Sequence, residues 1–331
     1  MCGAATRVAR LLAGRMPTDC GHGLLKYSGM LSRRSTVLAR LSLVTLLGAT
    51  LFVSQAHTQT PASAAWLDPY RDTATSLIQA SMSNDFAWQR LAELTDTYGH
   101  RLSGSASLDR AVTWAVDTMM SDGLEHVRAE PVMVPRWVRG VERLDVVEPP
   151  QGALSMLGLG GSIGTPPEGV EGEVIVVNSF ADLRARSADV VGRIVLFNAP
   201  FTTYRDSVTY RTDGAHVASQ FGAVAALVRS VGPTGLRTPH TGSLQYEPDA
   251  PPIPAAAVAA EDADRIARLQ ARGVSVRVRL TMDARTETDV ASANVVGEIL
   301  GRERPDEVVL LGGHLDSWDV GTGASDDAVG S

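Results

Sequence analysis

Residues 307–330, EVVLLGGHLDSWDVGTGASDDAVG, decide how this chain is read. Val308, Val309, Leu310 and Leu311 make a β-branched and aliphatic run closed by Gly312 and Gly313, which predicts a short buried strand. In an open α/β sheet, ligands bind just beyond the carboxyl ends of such strands, and His314 stands at that place. Asp316 follows two residues later, so on extended backbone the two side chains share a side. A metal-bound imidazole usually donates its other N–H to a carboxylate, which fixes the tautomer and makes the ligating nitrogen more basic. After a Gly-rich turn come Asp326 and Asp327, then small residues able to open a helix whose positive end would favour a carboxylate. A histidine after a strand is equally at home as a hydrogen-bonded loop residue, Asp beside Gly is ordinary turn chemistry, and two ligands do not make a zinc site. Spacing alone leaves both readings open.

Outward from that stretch, Gly301–Asp306 reads as a charged turn and Ser292–Leu300 as a strand. Between about 151 and 285 the pattern is short strands, Gly-rich turns and a few helices. Val174–Val177, Ile194–Phe197 and Ala223–Val228 read as buried strands and Gly214–Gln220 as a helix. Glu261–Arg272 reads as an amphipathic helix with Ile266, Ala267 and Leu269 inward. LGLGGSIG at 157–164 lacks the G-x-G-x-x-G spacing and a following helix, so it is not a dinucleotide loop. Val127–Val134 and Val138–Val147 alternate as strands, punctuated by Pro135 and the Pro149-Pro150 pair. Before them lie three helices: Thr73–Met82, Ala87–Tyr98 (with Phe86, Leu91 and Leu94 inward) and Leu108–Met120, the last ending near Gly123. His100, His216 and His240 are isolated and are read as structural or surface residues, and Trp137 as packing.

Residues 1–56 read as a leader. Arg33, Arg34 and Arg40 precede the apolar run Leu41–Val53, and Ser54-Gln55-Ala56 suits signal-peptidase cleavage after Ala56. The run is short for a spanning helix. The only cysteines, Cys2 and Cys20, fall in this leader, so thiolate zinc sites are excluded from the remainder and His and carboxylates are left as ligands. The chain of 331 residues has net charge −7, and removing the +6 of the leader leaves about −13, which argues against nucleic acid or an anionic membrane as partner.

GGHLDSWDVGTGASDD resembles the metal-binding segment of the co-catalytic dizinc exopeptidases, in the carboxypeptidase Q (plasma glutamate carboxypeptidase) branch. The resemblance implies that His314 binds one zinc, that Asp316 is the catalytic carboxylate orienting it, and that Asp326 bridges two zinc ions. It also implies a cis peptide at Asp326–Asp327; Ala328 stands where the family usually has Gly. TDTYGHRLSGSASLDRAVTWAVDTMMSDGL and VPRWVRGVERLDVVEPP are similar to earlier parts of the same branch. GRIVLFNAP, GAVAALVRS and PHTGSLQY look like a protease-associated domain, which in that family is inserted in the peptidase domain and lids its cleft.

The implied fold is α/β: an incomplete zinc-exopeptidase-type mixed sheet flanked by helices, with an inserted α/β protease-associated domain. The implied divisions are a leader over 1–56, peptidase domain over 57–150, the insert over 151–285 and peptidase domain again over 286–331. The family's remaining parts, a Glu-Glu pair, a further acid and a last His, would lie downstream. The resemblance therefore implies the N-terminal portion of an exported or periplasmic zinc exopeptidase, inactive alone. Its substrate would be a peptide or dipeptide, with no nucleic acid and with homodimerisation left open. The alternatives are a receptor-like scaffold, as in the transferrin-receptor relatives that have lost metal ligands, or a protease-associated binding module. Serine hydrolysis is disfavoured, since no G-x-S-x-G elbow occurs.

Overall fold

The computed structural model of the chain describes residues 65–330; the leader, its cleavage site and both cysteines lie outside the described residues. The chain divides into two compact units, Cys2–Asp85 and Phe86–Ser331. In the first, a 3-10 turn over Ala65–Tyr70 leads into helix α1, Arg71–Met82.

The second unit opens with α2 (Phe86–Tyr98) and α3 (Ala106–Ser121). Ser105 starts α3 because its hydroxyl accepts the Leu108 N–H at 3.2 Å, satisfying a first-turn donor that has no helical partner. Gly123, at φ +85, follows the end of the helix, a conformation costly for a residue with a Cβ. Leu94 and Leu108 are buried as expected, whereas Phe86 is exposed.

Ten strands follow among the described residues: β1 (Glu125–Val138), β2 (Glu142–Glu148), β3 (Gly152–Ala153), β4 (Met156–Gly158), β5 (Val170–Val177), β6 (Ile194–Phe197), β7 (Ala225–Arg229), β8 (Ala255–Val258), β9 (Arg277–Met282) and β10 (Arg285–Glu298). Four helices lie among them: α4 (Phe180–Ala185), α5 (Tyr204–Thr212), α6 (Gly214–Ser219) and α7 (Ala260–Ala271).

β1 and β10 form an antiparallel ribbon in which Val138 faces Arg285. Pro135, expected to break the strand, does not. The ribbon runs through it with a register shift between Val134 and Arg136, since proline cannot donate to the ladder and the pairing steps over it. The turn comes at Gly140, φ +69, where a Cβ would meet that of Asp283 at 2.6 Å. Beyond it β2 and β9 continue the antiparallel pairing, with Glu142 opposite Met282.

These strands enter an eight-stranded sheet in the order β3-β2-β9-β5-β6-β7-β8-β4, with β5 to β8 parallel and the outer strands antiparallel. β6 is buried along its whole length, as a strand covered on both faces must be. Alternation sends Ile194 and Leu196 to a core with Ile266 of α7, and Val195 and Phe197 to a second core with Leu183 of α4 and Ala218 of α6. The architecture is the expected α/β class: the mixed sheet flanked by helices is the segment inserted between β1 and β10, and the flanking sequence contributes the two-stranded ribbon and helices α2 and α3. Sequence reading gave residues 199–213 no element. α5 occupies most of them, but YRDSVTYRT has no apolar stripe at helical spacing, and its clearest start signal is Thr203, whose hydroxyl accepts the Asp206 N–H.

One expected element is not formed. Val308–Leu311 is not a buried strand: the four side chains are between 80% and 88% exposed and the backbone pairs with no strand among the described residues. A strand exists through its neighbours' hydrogen bonds, so an apolar run without a partner stays irregular.

Candidate metal centre

The segment 312–330 has almost no regular structure of its own, so other elements must hold it. Arg101, in the loop between α2 and α3, supplies the main support. Its side chain is wholly buried (0% exposed). The guanidinium donates to the carbonyls of Leu315 (2.8 Å), Gly99 (2.5 Å), Thr322 (2.8 Å) and Gly323 (3.2 Å), tying both limbs of the loop together. Ser317 accepts the Arg101 backbone N–H on its hydroxyl and donates its own N–H back to the Arg101 carbonyl, each at 2.9 Å. Burial lowers the Arg101 pKa, opposed by the nearby Asp316 charge. Gly323, at φ +65, packs so closely that a Cβ would lie 2.3 Å from that of Ser317.

On this frame the imidazole of His314 sits between two carboxylates. Nδ1 lies 2.8 Å from the Asp316 carbonyl and 3.2 Å from its carboxylate, while Nε2 lies 3.0 Å from Asp326 Oδ1. The carbonyl can only accept, so Nδ1 carries a proton and Nε2 is the nitrogen turned toward Asp326. The orienting contact on Nδ1 is thus shorter to the main chain of Asp316 than to its carboxylate, a detail spacing does not reveal. Partial burial would lower the His314 pKa, but the Asp316 carbonyl and the two carboxylates outweigh it and raise the value. The His314 N–H also approaches Asp327 at 3.3 Å. The peptide Asp326–Asp327 is cis. Ala324–Ala328 makes one irregular turn, in which Asp326 (φ −132, ψ 90) and Asp327 (φ −126, ψ 25) are not helical.

The donor set suits a divalent cation. Zinc bonds of about 2.0–2.1 Å in a tetrahedron separate neighbouring ligand atoms by about 3.3 Å, close to the 3.0 Å between His314 Nε2 and Asp326 Oδ1. Among the described residues no group of three or more His, Cys, Asp or Glu converges as a metal site.

The pattern for Peptidase family M28 matches residues 294–331, and that for the PA domain matches residues 170–266. Carboxypeptidase Q of Xenopus laevis is 45% identical over 268 residues, covering 80% of this chain and 57% of that protein. This chain is a homologue of carboxypeptidase Q. It spans little more than half the length of the curated relatives it matches. The crystal structure of a peptidase M28 precursor from Shewanella amazonensis superposes with a TM-score of 0.76 at 35% identity, over 79% of this chain and 61% of that one. A zinc aminopeptidase from Bacillus subtilis shares the fold at 20% identity and a TM-score of 0.53, over 73% of this chain and 53% of that one.

In this carboxypeptidase Q homologue the structure brings His314, Asp316 and Asp326 together and leaves His100 exposed in its loop. His216 and His240, read as isolated, have partners: His216 meets Asp249 at 3.1 Å, and His240 lies 3.4 Å from Arg211. Sequence reading gave no role to Arg101, Trp318, Asp319 or Arg139. For Asp319 the signal was present, an acid inside the quoted motif; for Arg101 nothing local pointed to it.

Proposed function

We infer that this chain carries the first metal-binding segment of an exported zinc exopeptidase that hydrolyses peptides or dipeptides. His314 would hold one zinc through Nε2, Asp326 would bridge two, and Asp316 would keep the His314 tautomer fixed. One observation carries this reading: His314 Nε2 and Asp326 Oδ1 face each other at 3.0 Å while Nδ1 is committed to Asp316. A cation held between those two atoms would leave the imidazole in its present orientation. Homology to carboxypeptidase Q and the PA-domain match support the substrate class and an insert between two peptidase segments; the expected bounds were 57–150, 151–285 and 286–331, and the sheet of the insert reaches back to β2.

When bound, zinc polarises the scissile carbonyl and lowers the pKa of a bound water. The chain's own residues contribute orientation and charge: Asp316 holds the proton on Nδ1, and Asp326 presents a carboxylate that is 80% exposed. The segment supplies fewer than the three or four protein ligands a zinc site takes, so these 331 residues alone are expected to hydrolyse no dipeptide. The reading also includes export by a cleaved leader; among the described residues no helix is long and apolar enough to cross a membrane.

The test is zinc binding by competition with a chromogenic chelator. His314→Ala and Asp326→Asn should each weaken binding at least tenfold, and Asp316→Asn by about tenfold as an orienting partner. Equal affinity in the parent chain and His314→Ala would remove the assignment.

A further inference from the structure

Between His314 and Asp326 the chain also grips the insert. The Trp318 ring lies against Gly160, just past β4, where a Cβ would come within 2.1 Å of the ring carbon Cη2; only glycine admits so close an approach. Next to it, the Asp319 carboxylate accepts two hydrogen bonds from Arg139, from Nε and Nη2, each at 2.7 Å. Arg139 stands where the β1–β10 ribbon turns into the eight-stranded sheet. Its Nη1 also donates to the Gly158 carbonyl at 2.6 Å and reaches Glu142 at 3.3 Å, and Glu142 in turn accepts the Gly158 N–H at 2.9 Å. Both polar groups of Gly158 are thereby held. The Arg139 and Asp319 side chains are only 10% and 16% exposed, and the guanidinium packs 5.0 Å from the Trp137 ring centre. A two-pronged guanidinium–carboxylate contact fixes both distance and plane, which a lysine cannot do.

We propose that Asp319 is a positioning residue: through Arg139 it locks the insert to the loop bearing His314 and Asp326, so that the lie of the lid and the spacing of those two side chains are set together. The proposal rests on the metal reading above for its consequence, but not for the clasp itself. It takes Arg139 as the hub because that residue touches β4, Glu142 and Asp319 at once.

The test uses the 331-residue chain and the variants Asp319→Asn, Arg139→Lys and the double variant. Two readouts are taken, hydrogen exchange by mass spectrometry and zinc affinity by chelator competition. Either single variant should speed exchange across 315–323 about tenfold while β6 and β7 keep their protection, and should weaken zinc binding about tenfold. The double variant should do little more than one single, since both remove the same contact. Unchanged exchange at 315–323, or equal acceleration in β6 and β7, would overturn the proposal, because the pair would then be idle or merely structural. Faster exchange with unaltered zinc affinity would overturn the positioning role. Should the parent chain take up no zinc, the metal assignment falls, and the exchange data still decide whether the clasp exists.

Discussion

Arg101 illustrates what a linear reading misses. Three of the four carbonyls it serves lie more than two hundred positions away, so no spacing rule finds them. His314, Asp316 and Asp326, by contrast, belong to one short loop; residue type and interval marked them as candidates, and their roles came from the resemblance. Replacing Arg101 by Met would remove four hydrogen bonds to partly buried carbonyls, and the penalty should be about 3 kcal/mol of unfolding free energy. Arg101→Lys should recover only part, because an ammonium cannot reach four acceptors set in a plane. A denaturant midpoint measurement on both variants checks this; an unchanged midpoint for Arg101→Met would show that water satisfies the carbonyls.

At the level of elements, patterns that bury both faces were read well. β5, β6 and β7 were legible as continuous apolar runs, and α7 as an amphipathic stripe whose Ile266 is wholly buried. Ile266→Ala should therefore cost about 2–4 kcal/mol. Elements defined by pairing rather than composition were not legible. Pro135 was read as a break although the ribbon accommodates it at a bulge, and Val308–Leu311 was read as a strand although it has no neighbour to bond. Four exposed aliphatic side chains in a row with free backbone edges invite association between chains. Val309→Lys should leave thermal stability unchanged, because the side chain is 87% exposed, and should reduce self-association seen by light scattering. A lowered melting temperature would instead mean that this run packs in solution.

Taken whole, the molecule is unevenly consolidated. Two cores enclose the eight-stranded sheet, whereas the loop carrying His314 is held by tethers to Arg101 and Arg139 and by a small third cluster in which Leu315 and Ala328 pack with Leu94 and Ala111. Limited trypsin digestion should therefore cut early at Arg302, Arg304 being protected by the following Pro305, and leave a resistant fragment containing 142–282. Early cleavage inside that range would contradict the assignment of the cores. The change to short strands and Gly-rich turns near Gly152 was legible in the sequence, but how that segment joins its flanks was not, since it depends on register. Val138 and Arg285 face each other at the end of the β1–β10 ribbon, so everything between them enters and leaves at a single pair of bonded residues. A two-residue turn at that point would close an ordinary hairpin. The intervening domain is thus a cassette that evolution, or an engineer, could remove or exchange at one junction without shifting the register on either side.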